Sequence, residues 1–290
     1  MIAIAGGSGL LGQRVVTTLL GQGEHVRVLV RDLDGARSMV DQRAEVVTAD
    51  VRDAVAVNTA VQGASTVISA AHGLLGGRGA GPTEVDHLGN VHLSAAARAV
   101  GADVVLVSVA GASPDSPVEL FRAKYLAEQA LRESGAAWSI VRSSAFLETW
   151  LQILTRTAGR SGHPLVFGRG EQPIPFVSAD DVADVVSTAA TNKRFRGQML
   201  EIAGEPLTMN ELARALQTAR NWPGTIRHLP RPLLRSLAVI AGPIKPGFAR
   251  QNRTALAMDA LPPAGVPSTS SPLGTPLRTV LDVLGTAALS

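Results

Sequence analysis

Three glycines spaced G-x-x-G-x-x-G, between an apolar tetrapeptide and an apolar helical stripe, constrain this chain more than any other stretch. Ile2-Ala-Ile-Ala5 has no polar face, as expected of a strand buried on both sides. Gly6, Gly9 and Gly12 follow at once, and Leu10, Leu11, Val15, Leu19 and Leu20 then recur at helical spacing. Gly21 and Gly23 close that helix before a second strand from His25 to Asp32. Such a turn needs backbone angles that a Cβ would forbid. A pyrophosphate must also approach main-chain N–H groups at the helix N-terminus, where the dipole favours an anion. Gly12 lets the helix lie close to the strand. The expected dinucleotide site is therefore built from Gly6, Ser8, Gly9, Leu10, Leu11 and Gly12.

The end of the second strand selects the cofactor. An acidic residue there suits the ribose hydroxyls, whereas an arginine accommodates the 2′-phosphate of NADP. This chain has both, Arg31 then Asp32. Arg31 directly follows Val30, where the strand meets the ribose, so NADP(H) is expected ahead of NAD(H). Asp50 and Val51, at the exit of the third strand, are expected beside the adenine. Ala70 and Ala71 end the fourth strand, Thr66 to Ala71, and are small enough for the cofactor to cross.

The alternation continues. Helices are expected over Ala36–Arg43, Ala54–Gln62, Glu84–Val100 and Glu119–Ser134, and strands over Asp103–Val109 and Trp138–Arg142. This pattern argues an α/β protein with a Rossmann-like, doubly wound parallel sheet. The pattern then loosens. The expected division is an NAD(P)-binding core over 1–150 and a smaller substrate lobe over 151–290, with a strand near 199–202 returning to the main sheet. His72 to Pro82 holds five glycines at the carboxyl end of the fourth strand. It reads as a lid over the site or as an ordinary connection. His72 and, further on, Ser144, Phe146 and Trp150 are candidate substrate contacts; core packing competes for the last three. The proline-bearing piece Pro173–Val177 is expected at a sheet edge.

Composition limits the alternatives. With 46% hydrophobic and 18% charged residues, the 290-residue chain is globular rather than disordered. No apolar run reaches the ~20 residues of a membrane span, and a strand at residue 2 leaves no room for a signal peptide. The absence of cysteine excludes disulfides and thiolate metal ligands. His87 and His92 stand five apart, not at the i, i+4 spacing of a helical metal pair. A cytoplasmic protein with no metal and a small-molecule substrate is expected. The net charge of +3 is too small to imply nucleic-acid binding. From Leu212 to Met258 there is no acidic residue but eight basic ones, around the apolar run Pro232–Ala241. A weak membrane-surface or protein contact through 214–253 is one reading, and a solvated basic face is the other. Leu261–Pro276 reads as an irregular linker and Leu277–Leu284 as a last short helix.

Only three of the 27 Lys and Arg residues are lysine, namely Lys124, Lys193 and Lys245. Lys124 lies within a helix, where its titratable amine distinguishes it from arginine. Gly6–Gly12, Leu29–Asp32, Ala49–Val51, Val107–Gly111, Lys124 with Ala127-Glu128, Trp138–Arg142, Ile174–Ala183 and Leu207–Leu212 then stand in a familiar order. Over roughly residues 1–215 the chain resembles an atypical short-chain dehydrogenase/reductase of the NmrA-like, NAD(P)H-binding family. That group includes quinone reductases, isoflavone-reductase-like enzymes and non-catalytic redox sensors. The resemblance implies a Lys124 that holds the ribose and a Ser108 near the catalytic serine position. Where such enzymes carry a tyrosine acid four residues before the lysine, this chain has Leu120. The single tyrosine, Tyr125, lies ~140° around the helix from that position. Two readings stay open. One is an NAD(P)H-dependent oxidoreductase, NADP preferred, reducing a conjugated or quinone-like molecule without a tyrosine acid; the other is a non-catalytic NAD(P)-binding redox sensor.

Overall fold

Buried strands alternating with one-sided helices produce, in the computed structural model, β1 (Ile2–Ala5), α1 (Leu10–Gly21), β2 (Val26–Val30), α2 (Leu33–Arg37), β3 (Glu45–Thr48), α3 (Ala54–Ala60) and β4 (Thr66–Ser69). A π-helix, Thr83–Leu88, leads into α4 (Gly89–Val100), β5 (Asp103–Val109), α5 (Glu119–Glu133) and β6 (Trp138–Ser143). Next come β7 (Ala145–Phe146), α6 (Leu147–Ala158), β8 (Leu165–Phe167), β9 (Ile174–Val177), α7 (Ala179–Thr191) and β10 (Gln198–Ile202). The last elements are β11 (Pro206–Leu207), α8 (Met209–Arg220), β12 (Arg227–Leu229), α9 (Arg231–Ala241), α10 (Pro246–Met258) and α11 (Val280–Gly285). The structure describes residues 1–241, 244–260 and 268–286.

Seven strands form the main sheet in the order β10-β6-β5-β4-β1-β2-β3. β1 pairs in parallel with β2 on one side and β4 on the other, Ile2 facing Val26 and Thr66. The chain leaves β1 toward β2 and β3, then crosses back to β4. That reversal is the topological switch point, and ligands of open α/β sheets bind outside the strands' carboxyl ends there. All four β1 residues are buried, which accounts for the absence of a polar face. Leu29, Val67, Val104, Leu106, Leu93 and Leu131 pack together in one core cluster, and full burial of each such side chain is worth about 1.5–3 kcal/mol.

Two units divide the chain, Met1–Arg142 with Val182–Glu201, and Ser143–Asp181 with Ile202–Ser290. The division expected at residue 150 thus moves to the end of β6, and the segment carrying α7 and most of β10 belongs with the first unit. β10 is the strand expected near 199–202, at the sheet edge beside β6. In the second unit Leu147, Leu151, Leu154, Phe176, Leu212 and Leu216 make a separate core.

Local differences have local causes. The helix expected over Ala36–Arg43 starts earlier, at Leu33, because the Asp32 carboxylate accepts the N–H groups of Asp34 and Gly35. Glu84–Val100 is not α-helical throughout. Its first part is the π-helix, where Asn90 Nδ2 donates to the Asp86 carbonyl at 2.6 Å. β9, expected at an edge, is the middle strand between β11 and β7. It tolerates Pro175 because both neighbours are two-residue strands. The five-glycine loop is tied down rather than free. Gly73 N donates to Asp86, Gly81 N to Glu84, and Arg52 to the Gly79 carbonyl.

In the basic stretch, α9 exposes Leu233, Val239 and Ile240, α10 exposes Phe248, and Ile244 is exposed in the turn before α10. Part of the expected linker, 261–267, lies outside the described residues; Ser270 and Pro276 form an antiparallel bridge beyond it. Among the described residues no helix is long and apolar enough to cross a membrane, and no three His, Asp or Glu side chains gather to hold a metal ion.

Candidate functional site

At the switch point the four glycines after β1 serve different ends. Gly6 has φ +87°, the left-handed region, and an added Cβ would lie 2.6 Å from Ala71 N. An added Cβ on Gly12 would overlap the Gly6 carbonyl, and one on Gly7 would lie 2.5 Å from Val28 Cγ1. These three glycines let protein approach protein. Gly9 differs. Its φ is −81°, and the only neighbour of an added Cβ is Gly6 O at 3.4 Å. Gly9 is also the N-cap of α1, no side chain caps that helix, and its first turn holds no acidic residue. The positive end of the dipole and the amides of Leu10 and Leu11 are thus available to an anion. Ser8 is half-buried and its carbonyl accepts from Gln13 Nε2 at 2.8 Å. This cradle fits a pyrophosphate.

At the end of β2, Arg31 and Asp32 are both exposed, but they are not equivalent. Asp32 Oδ1 accepts the Asp34 and Gly35 amides at 3.2 and 3.3 Å. The Arg31 charge is felt at Asp50. The Asp50 carboxyl is held below its ordinary range, chiefly by its hydrogen bonds from Arg52 and to a lesser degree by the Arg31 charge. Val51 is a core side chain that packs on Gly89, so only its backbone reaches the rim; its carbonyl accepts from His92 Nδ1 at 2.9 Å. Ala70 and Ala71 are half-buried, with Ala70 N bonded to Ala5 O at 2.8 Å.

Lys124 is drawn to the same place from α5. It is 4% exposed, and its Nζ stands 3.0 Å from Asp86 Oδ1 and 3.2 Å from the Ala71 carbonyl. Asp86 is fully buried in the π-helix, and its Oδ2 accepts the Gly73 amide at 2.7 Å. Removing either partner of a buried ion pair leaves an uncompensated charge, so the two side chains depend on each other. Two of the three ammonium donors are used by protein, leaving one for a ligand. The sequence reading missed Asp86, although an almost fully buried lysine implies a counter-charge. Its position relative to Lys124 depends on a crossover between β4 and α5 that no local pattern reveals.

Ser108 is placed elsewhere. Its hydroxyl donates to Glu128 Oε1 at 2.6 Å, and Arg142 clamps the same carboxylate through Nε at 2.8 Å and Nη2 at 2.6 Å. The Arg142 guanidinium is held above its ordinary range by that hydrogen bond. Glu128 is one helical turn beyond Lys124, so Ser108 is joined to Glu128 and not to the lysine. The cluster ties β5, α5 and β6 together. Leu120 is buried on the same face of α5 as Lys124, and Tyr125 lies outside that face.

His72 follows Ala71 directly; the residue keeps solvent-accessible surface, while neighbouring protein atoms crowd its imidazole. The imidazole is held below its ordinary pKa, mainly by desolvation, with Lys124 adding to the effect and Asp86 opposing it. Ser144, Phe146 and Trp150 belong to the second unit. Ser144 N donates to Ile202 O at 3.0 Å, and its Oγ is buried with no partner among the described residues. Phe146 pairs with Val177 across β7 and β9. Trp150 packs against that unit's core and lines a small apolar pocket with Phe167, Ile174, Met209 and Met258.

Comparison with known proteins bears on the fold and the family. A model of the NmrA-like family matches residues 1–251. An NAD(P)H azoreductase of Xenophilus azovorans is 29% identical over 227 residues, 77% of this chain and 75% of that protein. A (4-alkanoyl-5-oxo-2,5-dihydrofuran-3-yl)methyl phosphate reductase of Streptomyces griseus is 30% identical over 236 residues, 80% of this chain and 75% of that protein. Among solved structures, an NADPH-dependent quinone oxidoreductase from Escherichia coli complexed with NADPH superposes with a TM-score of 0.76, at 22% identity over 98% of both chains. Citrobacter sp. triphenylmethane reductase complexed with NADP(H) gives 0.77, at 20% identity over 99% of this chain and 100% of that one.

Proposed function

The chain belongs to the NmrA-like family, and we propose that within it the protein is an NADPH-preferring oxidoreductase that reduces a small conjugated acceptor of the quinone or azo kind. NAD(P)H binding and oxidoreductase activity are the coarse reading shared with its relatives. The finer reading rests on one observation, a buried Lys124 at the switch point with Leu120, not a proton donor, four residues before it. Bound NADPH would supply a hydride. Gly9, Leu10 and Leu11 would hold the pyrophosphate, Arg31 the 2′-phosphate, and the remaining Lys124 donor the ribose next to the nicotinamide. Lys124 is itself fixed by Asp86 and Ala71, so it positions its ligand at little entropic cost. Acceptors that delocalise the incoming electron pair need less help from an enzyme acid than isolated ketones do.

Preference for NADPH is supported by the division of labour at β2. Asp32 is engaged in capping α2, while the adjacent Arg31 stays exposed. NADPH oxidation measured across quinones, azo dyes, enones and simple ketones tests the reading. Turnover of the conjugated acceptors with poor ketone reduction is expected, and efficient ketone reduction would overturn it. A second reading, a redox sensor, is favoured by the same Asp86–Lys124 pair, which neutralises the lysine inside the protein. It requires binding of NADP(H) without turnover of any acceptor, and unequal affinities for the oxidised and reduced forms.

A further inference from the structure

We propose that His72 is the proton donor of this site, taking the part that the missing tyrosine would play, and that the Asp86–Lys124 pair exists to aim it. The proposal rests on the oxidoreductase reading above. It starts from what the ion pair touches. Lys124 Nζ bonds the carbonyl of Ala71, the residue before His72, and Asp86 Oδ2 bonds the amide of Gly73, the residue after it. The two oppositely charged side chains meet at 3.0 Å and grip the backbone on both sides of one residue. Gly6 holds the same segment from β1, its backbone being too close to Ala70 and Ala71 for a Cβ. The backbone of His72 is therefore fixed from three elements at the carboxyl end of β4, beside the switch point, where the residue keeps solvent access although protein crowds its imidazole.

The π-helix belongs to the same device. Widened turns of this kind recur at functional sites. Here Asp86 sits in the π segment, and Asn90 bonds the Asp86 carbonyl from the following turn. A side chain that only filled space would need no such arrangement.

The chemistry balances with groups already named. Bound NADPH would supply a hydride, two electrons and one proton, to one end of the conjugated acceptor and would leave as NADP⁺. The His72 imidazolium gives its proton to the oxygen or nitrogen at the other end and becomes neutral imidazole. Water returns the proton before the next cycle. The charged groups acting on the ring are Asp86 from the π-helix and Lys124 from α5. Desolvation and Lys124 outweigh Asp86, so the imidazolium form is filled only as the pH falls below the ordinary histidine range. Turnover limited by this proton should rise as the pH falls through that region.

The test uses the full-length protein, NADPH, and a quinone and an azo dye as acceptors. His72 is exposed, so His72→Asn and His72→Gln should fold as the wild type does. Both should lower kcat about 10-fold or more, within reach of the 10²–10⁴ that a positioned acid contributes, and flatten the acid rise of the pH profile. NADPH affinity, followed by fluorescence titration, should be unchanged. A readout without turnover comes from NMR. The His72 ring resonance, assigned by its loss in His72→Asn, should titrate below the ordinary histidine range in the unliganded protein. A kcat pH profile whose acid limb does not follow the measured His72 titration would overturn the proposal. So would wild-type kcat and pH dependence in both variants. Wild-type protein that fails to oxidise NADPH with every acceptor tried would remove the oxidoreductase reading, and this one with it.

Discussion

At the scale of single residues, Gly9 and Arg31 each permit a sharp prediction. Gly9 is the glycine of the first loop whose missing side chain faces open space rather than protein. Its φ of −81° is ordinary for any residue. Gly9→Val should therefore fold with little loss of stability yet no longer bind NADPH, because the isopropyl group occupies the pyrophosphate approach. Circular dichroism alongside cofactor titration checks both halves, and a folded variant that still binds NADPH normally would refute the phosphate cradle. Arg31→Ala should weaken NADPH by about 1.5–3 kcal/mol, the worth of a charge-assisted hydrogen bond, and NADH much less. Equal wild-type affinity for the two nucleotides would rule out the 2′-phosphate contact. The glycines were legible in the sequence as a group, because close packing and positive φ leave a compositional trace. Their separate duties were not legible, since Val28, Ala70 and Ala71 are brought against them only by the sheet. Arg31 and Asp32 were legible as rivals; the cap on α2 distinguishes them, and a cap two residues away is visible only once α2 starts at Leu33.

At the scale of elements, α5 carries two buried clusters one turn apart. Lys124 serves the switch point, and Glu128 braces β5 and β6 through Ser108 and Arg142. The motif segments Val107–Gly111, Ala127-Glu128 and Trp138–Arg142 were visible in the sequence, but the bonding that unites them was not. A serine near the end of a β-strand looks the same whether its hydroxyl meets a substrate or a glutamate. Ser108→Ala should remove a buried hydrogen bond to a carboxylate and cost about 1.5–3 kcal/mol of stability, with kcat unchanged. Chemical denaturation and steady-state kinetics on one preparation decide it; a lost kcat at wild-type stability would return Ser108 to the reaction. Tyr125→Phe should affect neither quantity strongly, since Tyr125 lies off the buried face of α5. A large loss of turnover in that variant would place the tyrosine in the site after all.

At the scale of the whole molecule, periodicity carried most of the fold. Short apolar runs and helical stripes recur through residue 142, and the parallel sheet follows from that alternation. The return of the chain through 182–201 was legible only as a late apolar strand, because its partners are remote. Besides its pairing with β6, bonds to remote residues attach it. Thr66 Oγ1 donates to Ala190 O at 3.2 Å, Ser139 Oγ to Phe195 O at 2.8 Å, and Arg196 pairs with Asp103 at 2.8 Å.

That late return has a consequence for synthesis. When the ribosome has delivered β6, the nucleotide-binding sheet still lacks β10, and β6 is an unpaired edge with its amides and carbonyls open to any other strand. The residues that emerge next are those of the second unit. At ordinary elongation rates the nascent sheet waits on the order of seconds before its own last strand arrives. A chain interrupted in that window has its phosphate loop and its lysine, yet it ends on a surface primed for aggregation.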